Sequence, residues 1–168
     1  MENCIFCKIA NGEIPSGTIE ETDLFRVVLD VAPATRGHAL ILPKAHYANL
    51  YELPEEMAGE AMKLAKRIAL RMKERLDCDG VNLIQNNEEA AGQTVFHFHI
   101  HLIPRYKEDG QKIGWKPGEP TSVKRSFLSA NDDILFVSYN GIVLLLANSI
   151  FNYRGVISVF GNFDNSTP

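Results

Sequence analysis

The sequence has no excess of positive charge, no visible secretory signal and few cysteines, and each absence narrows the possible function. Its 168 residues carry 17 Lys and Arg against 21 Asp and Glu, a net charge of −4. We therefore expect no basic surface that binds nucleic acid through its phosphates. The first residues show neither a basic segment nor an apolar core, which argues against a secretory signal. Three cysteines, an odd number without a signal, indicate reduced thiols in a cytoplasm.

Length and composition are those of a globular domain, with 45% hydrophobic and 23% charged residues. The composition changes after residue 118, which predicts a domain over residues 1–118 and an atypical tail over residues 119–168. Twenty consecutive residues, 134–153, carry no charge and approach the length of a membrane span. Their Ser, Asn and Gly residues make a poor span, so membrane contact by the tail is not expected. The pattern assigns the tail no regular structure.

Hydrophobic patterning in the first 118 residues predicts an α+β domain. A 3.6-residue apolar stripe predicts one long helix over residues 55–76. A short helix is expected at residues 4–10, and residues 13–23 have the composition of a loop. Strands are predicted at residues 25–31, 38–43 and 81–86. Runs of strands with one long helix between them indicate an antiparallel sheet.

Three of the five histidines lie at alternate positions, His97, His99 and His101. Phe98 and Ile100 stand between them, and this period of two predicts a β-strand with all three imidazoles on one face. Three histidines in strict register are unusual for solvent-facing positions. The pattern therefore indicates a metal site, a catalytic site, or both.

An imidazole row of this kind suits phosphoryl chemistry. A neutral imidazole is a good nucleophile toward phosphorus, and a second histidine can exchange a proton near neutral pH. Backbone amides and the hydroxyl in residues 92–94 are placed to hold phosphate oxygens. The metal alternative takes Cys4, Cys7 and His46 as ligands, with one triad histidine as the fourth. Both interpretations hold if one of the three histidines binds the metal and the others take part in the reaction.

Several stretches resemble one known family. Residues 97–103, His-Phe-His-Ile-His-Leu-Ile, resemble the signature of the histidine-triad (HIT) family. Residues 4–15, 37–46 and 92–96 are similar to its bacterial nucleoside-phosphoramidase-like branch, so the resemblance covers about residues 1–118. It implies a homodimer of α+β protomers, each with an antiparallel sheet, one long helix and a short N-terminal helix. It also implies hydrolysis or transfer of nucleoside monophosphates.

The resemblance implies a role for individual residues. His99 matches the nucleophile that becomes nucleotidylated, and His101 matches the group that hydrogen-bonds the phosphate and assists the leaving group. His97 and His38 match supporting histidines. The implied substrate-binding residues are Asp30 for the ribose, and Asn86, Gln93 and Thr94 for the phosphate and leaving-group side.

Many bacterial relatives in this family bind zinc, and the matching positions are present here. They are the two cysteines of Cys-x-x-Cys, the histidine after Pro-Lys and the first triad histidine: Cys4, Cys7, His46 and His97. A closed Cys2His2 site is structural. Zinc would therefore brace the histidine segment and leave His99 and His101 for the reaction.

The expected activity is hydrolysis of purine nucleoside phosphoramidates through a nucleotidyl-histidine intermediate. One alternative is a dinucleoside polyphosphate hydrolase, because residues 102–105, Leu-Ile-Pro-Arg, resemble the end of that motif. An alternative of another class is a zinc-stabilised nucleotide-binding protein with little turnover. The tail departs from the family pattern, and the resemblance implies that the C-terminus helps to shape substrate choice.

Overall fold

The computed structural model describes residues 3–114 and residue 117, together with the backbone of residues 134–139 and 142–147. Its elements before residue 115 are α1 (Ile5–Ala10), β1 (Thr18–Glu21), β2 (Phe25–Leu29), β3 (Ala39–Pro43), α2 (Glu55–Leu76), β4 (Gly80–Ile84), a short 3-10 turn (Glu89–Ala91) and β5 (Ile100–Arg105). The five strands form one antiparallel sheet in the order β1-β2-β3-β5-β4. The α+β fold expected from the sequence is confirmed.

The two helices cover opposite faces of the sheet. The predicted long helix is confirmed as α2, whose stripe of buried side chains packs on strand residues such as Ile41 and Leu102. On the other face, Ala10 at the end of α1 packs with Val28 and Leu40. His101 lies directly opposite Leu40 in the β3–β5 register, and directly opposed residues share a face. The α1 face therefore carries His101.

The loop expected over residues 13–23 is wrong in part, because β1 occupies Thr18–Glu21. This strand pairs antiparallel with β2, with Thr18 opposite Val28 and Glu21 opposite Arg26, and the register shifts between them. β1 lies at the edge of the sheet and its side chains are mostly exposed. An exposed edge strand needs no alternation of apolar residues, so the pattern that identifies strands was missing.

The regular strand expected through all three histidines is also wrong in part. β5 begins at Ile100, so only His101 belongs to it. Its partner β3 ends at Pro43, which has no N–H for a ladder. The Phe98 amide instead donates to the Tyr47 carbonyl at 2.6 Å, and the His97 amide donates to Val95 at 2.9 Å. The side chains still alternate, since Phe98 and Ile100 enter the core under α2.

The chain divides into two compact units, Met1–Gly114 and Trp115–Pro168. In the second unit, β6 (Ile134–Tyr139) and β7 (Ile142–Ala147) form an antiparallel pair. The domain boundary expected at residue 118, and most of the tail expected over residues 119–168, lie outside the described residues. Among the described helices, none combines the length and apolarity needed to cross a membrane.

Candidate functional site

Four residues from separate parts of the chain meet beside α1. Cys4 precedes the helix and Cys7 lies within it, while His46 follows β3 and His97 precedes β5. Their Sγ and Nδ1 atoms all lie within 4.8 Å of one another. The structure thus brings together the four residues that the family resemblance implied as metal ligands.

The spacing of these atoms fits a tetrahedral zinc site. The Cys7 Sγ atom lies 3.3 Å from His46 Nδ1 and 3.4 Å from His97 Nδ1, and Cys4 Sγ lies 3.6 Å from His97 Nδ1. The two Nδ1 atoms are 3.3 Å apart. Zinc–ligand bonds of ordinary length at tetrahedral angles place sulfur and nitrogen about 3.5 Å apart and two nitrogens about 3.3 Å apart. The donor set and its distances therefore match a zinc ion.

The protonation of His97 also suits a metal ligand. Its Nε2 lies 3.0 Å from the Pro43 carbonyl, which can only accept, so Nε2 carries the proton and Nδ1 presents a lone pair to the cluster. Burial lowers the pKa of His97 to about 4, which keeps the ring neutral. Burial and the neighbouring Cys4 raise the pKa of the Cys7 thiol to about 11. A bound cation would replace that thiol proton.

His99 presents a free nitrogen lone pair. Its Nδ1 lies 2.6 Å from the His97 carbonyl, so Nδ1 donates and Nε2 is unprotonated in the neutral ring. Burial lowers the pKa of His99, which favours this neutral form. The ring of Phe6, from α1, meets the imidazole edge-on with centroids 5.1 Å apart. His99 is therefore oriented on one side by a backbone carbonyl and on the other by an aromatic ring.

His101 presents the opposite group, an N–H. The Ala34 amide donates to His38 Nδ1 at 3.1 Å, so the proton of the neutral His38 ring is on Nε2. That Nε2 lies 2.9 Å from His101 Nδ1, which must accept. The His101 proton is consequently on its own Nε2. Burial, with His99 and His38 nearby, lowers the pKa of His101 to about 4.

Asp30 forms a second cluster with His38 and His101. One carboxylate oxygen accepts the Ala32 amide at 2.8 Å, and the other lies 3.6 Å from His38 Nε2. Asp30, His38 and His101 have the composition of a metal site. Their two facing nitrogens are 2.9 Å apart, which is shorter than the roughly 3.3 Å between nitrogens in a tetrahedral zinc site. A hydrogen-bonded network therefore describes this cluster better than a metal centre.

The loop before the histidines contains the other predicted ligands in different environments. Thr94 is exposed and free to meet a ligand, and the Asn86 amide lies 3.5 Å from the Gly92 carbonyl. Gln93 is buried, and its amide nitrogen donates to Ala48 at 2.6 Å and to Val95 at 3.0 Å. Both protons of the Gln93 amide are thus used to bind the loop to its surroundings.

Sequence reasoning missed two residues that shape this site. Phe6 lies in the Cys-x-x-Cys stretch, where its aromatic character was visible without showing which ring it would contact. Asn49 is buried and bonds the loop through Glu88. No local pattern distinguishes Asn49 from an ordinary loop residue, since its partner is 39 positions away.

Known proteins share this combination of sequence and fold. The HIT domain family matches residues 11–108. Protein hit of Bacillus subtilis is 44% identical over 116 residues, 68% of this chain and 80% of that protein. Adenosine 5'-monophosphoramidase HNT1 of Saccharomyces cerevisiae is 46% identical over 117 residues, with coverage of 69% and 72%. A Zn-bound histidine triad family protein from Mycobacterium smegmatis has a TM-score of 0.64 and 38% identity, with coverage of 70% and 85%.

Proposed function

The chain belongs to the HIT family, and from that premise we propose that it hydrolyses purine nucleoside phosphoramidates through a nucleotide bound covalently to His99. One observation carries the proposal. The Nε2 lone pair of His99 and the Nε2–H of His101 belong to adjacent rings, with centroids 4.9 Å apart. A nucleophile beside a donor is the pair that displacement at phosphorus requires. The name of the yeast relative, a monophosphoramidase, supports the substrate class.

In the first step, His99 Nε2 attacks phosphorus and the new N–P bond forms as the bond to the leaving nitrogen breaks. The electron pair stays on the leaving nitrogen, which takes a proton from water and departs as an amine. The His101 Nε2–H donates a hydrogen bond to that nitrogen and stabilises its developing charge. Residues 92–94 precede the histidines, where the exposed Thr94 hydroxyl can hold a phosphate oxygen.

In the second step, water attacks phosphorus and the N–P bond breaks, with its electron pair returning to His99. The proton consumed in the first step is released here, so the cycle is balanced. The carbonyl of His97 holds His99 Nδ1–H at 2.6 Å, which preserves the reactive tautomer for the next turnover. Asp30, at the far end of the His38–His101 pair, is the proposed ribose ligand.

We propose zinc as the metal of the Cys4, Cys7, His46 and His97 cluster. When bound, it would supply structural support and no reaction chemistry, because all four positions of a tetrahedral site are taken by protein. Both cysteines are free thiols, as binding in a reducing cytoplasm requires. The Zn-bound neighbour from Mycobacterium smegmatis supports this choice of metal.

We propose also that residues 1–118 are the functional domain and that two copies form a homodimer. Among the described strands, β4 stands at one end of the sheet and pairs only with β5. Its outer edge, with Leu83 half exposed, is open to a second copy. Sedimentation of a protein ending at Gly118 tests both points, and aggregation or a monomer would contradict them.

The experiment that tests the proposed function compares two substrates at equal concentration. We expect an adenosine phosphoramidate to be turned over faster than a diadenosine polyphosphate. Arg105, at the end of the motif that resembles polyphosphate hydrolases, is occupied within the chain. Its guanidinium donates to Asp109 at 2.7 and 2.9 Å, and to Asn82 and the Gln111 carbonyl at 2.7 Å each. Faster polyphosphate turnover would reverse the assignment, and turnover of neither compound would favour a nucleotide-binding protein.

The pH dependence of kcat/KM follows from the buried imidazoles. Burial disfavours the charged form and lowers the pKa of His99 below 6.5, so its lone pair remains available in mildly acidic solution. Activity should therefore hold as the pH falls to 6.5 and decline only below it. Initial rates measured from pH 4.5 to 8 at low substrate concentration give kcat/KM, whose decline at acidic pH reports the pKa of His99 in the free enzyme. A decline in kcat/KM with a midpoint above pH 6.5 would contradict a buried histidine nucleophile.

A further inference from the structure

Glu88 adopts a backbone conformation that suits glycine. Its φ is 69° and its ψ is 163°, a region that residues with a Cβ enter only under strain. The neighbouring residues of the short 3-10 turn, Glu89–Ala91, have no positive φ. The strain is therefore confined to one residue, which stands at the start of the loop that precedes the histidines.

Hydrogen bonds from two buried side chains hold Glu88 in this conformation. Its backbone N–H donates to Gln93 Oε1 at 2.8 Å, and its carboxylate accepts Asn49 Nδ2 at 2.8 Å. The side chains of Gln93 and Asn49 belong to residues that are 3% and 6% exposed. The Glu88 carbonyl also accepts the amides of Ala91 and Gln93, at 3.1 Å each.

Further hydrogen bonds connect Gln93, through the backbone of Val95 and His97, to His99. Gln93 Nε2 donates to the Val95 carbonyl at 3.0 Å, and the His97 amide donates to the same carbonyl at 2.9 Å. The His97 carbonyl then accepts His99 Nδ1–H. Glu88 thus lies at the far end of a bonded path whose last member sets the tautomer of His99.

We propose that Glu88 is a positioning residue for the reaction. Its carboxylate is anchored by Asn49 and holds Gln93 and the loop of residues 86–94 in the position that orients His99. The proposal rests on the proposed function for its effect on rate. Because Glu88 does not touch the reacting atoms, it acts only through Gln93 and the segment that follows. The hydrogen bond from the buried Asn49 amide to this carboxylate is a strong anchor. Without it, a buried N–H group of Asn49 would lose its partner, which costs free energy.

The substitution Glu88→Gly removes the carboxylate and leaves the positive-φ backbone conformation accessible. Glycine adopts a positive φ without strain, so this variant removes the carboxylate and the strain together. We expect its kcat/KM for an adenosine phosphoramidate to fall about 10- to 100-fold, the usual effect of a small displacement near the reacting atoms. Its thermal midpoint should be no lower than that of the control. Glu88→Gln keeps an acceptor for Asn49 and should recover most of the rate.

The matched control is Glu89→Gly, one position further along the chain. The Glu89 carboxylate makes no hydrogen bond within residues 3–114, and its φ is not positive. Its substitution removes the same charge and should leave kcat/KM within about twofold, as expected for an exposed side chain without partners. Hydrogen–deuterium exchange of residues 86–95 supplies a second measurement, and we expect faster exchange in Glu88→Gly than in Glu89→Gly.

The two measurements keep this inference separate from the proposed function. If the parent protein turns over the phosphoramidate, parental kcat/KM in Glu88→Gly overturns the positioning role. If the parent is inactive, the proposed function fails and exchange alone decides: unchanged exchange in Glu88→Gly overturns the role, and faster exchange supports it. A rate that falls equally in Glu88→Gln and Glu88→Gly would also overturn it, because the acceptor for Asn49 would then be irrelevant.

Discussion

The His99→Ala protein is expected to lose turnover of an adenosine phosphoramidate by about four or more orders of magnitude, since removal of a nucleophile eliminates the covalent route. The fold and nucleotide binding should largely persist. His99 lies on the α1 face, and the main core under α2 does not include it. Single-turnover kinetics and equilibrium binding of AMP measure the two effects separately.

The geometry favours the proposed assignment of His99, rather than its neighbours, as the nucleophile. The Nδ1 of His97 faces the Cys4 and Cys7 thiols, so its lone pair is directed away from a substrate. His101 Nδ1 accepts from His38, which leaves His101 with an N–H on its other nitrogen. Of the three triad histidines in the described part of the chain, only His99 combines a backbone-bound Nδ1–H with a free Nε2 lone pair.

The matched variant is His101→Ala, which removes the hydrogen-bond donor and retains the nucleophile. We expect its rate to fall about 10²- to 10³-fold, the usual effect of losing one hydrogen-bond donor to charge that develops during the reaction. The loss should be larger for poor leaving groups, which need the hydrogen bond most. Mass spectrometry of protein mixed with a slow AMP ester should locate the nucleotide on His99. A nucleotide on His101, or near-parental turnover by His99→Ala, would contradict the assignment.

Loss of the proposed zinc is expected to have the largest effect on stability. We expect one zinc per chain in the purified protein and none in the Cys7→Ser variant. The thermal midpoint of that variant should fall by about 10 °C or more, because a structural zinc site contributes several kcal/mol to folding. We expect α1 to unfold first, because Cys7 lies within this six-residue helix. A helix of this length is too short to be stable alone.

The chain contains its own control for cysteine chemistry. Cys78 is buried in the main core, apart from the four-residue cluster, so Cys78→Ala should keep full zinc content with a smaller fall in midpoint. Elemental analysis and thermal denaturation, each with and without a chelator, measure both variants. Purified parent protein without metal, together with an unchanged midpoint after chelation, would exclude the zinc site.

The sequence by itself predicted the elements whose periodicity depends on nearby residues. The α2 helix was predicted at its observed bounds, because its apolar stripe repeats every turn over 22 residues. The inner strands were found within a few residues of their ends. β1 was missed since an edge strand with exposed side chains has no apolar alternation. The strand through His97 and His99 was overextended, because the pattern does not show that Pro43 ends the partner ladder.

The residue types of the site were likewise visible in sequence, including Cys4, Cys7, His46 and the three triad histidines. Only the tertiary structure decided their chemical states, because a tautomer depends on the group that each ring nitrogen meets. His38 is bonded to a histidine 63 positions away, and His97 to a proline 54 positions away. The strained backbone of Glu88 was equally invisible, since it depends on Asn49 and Gln93, which are distant from each other in sequence and adjacent only after folding.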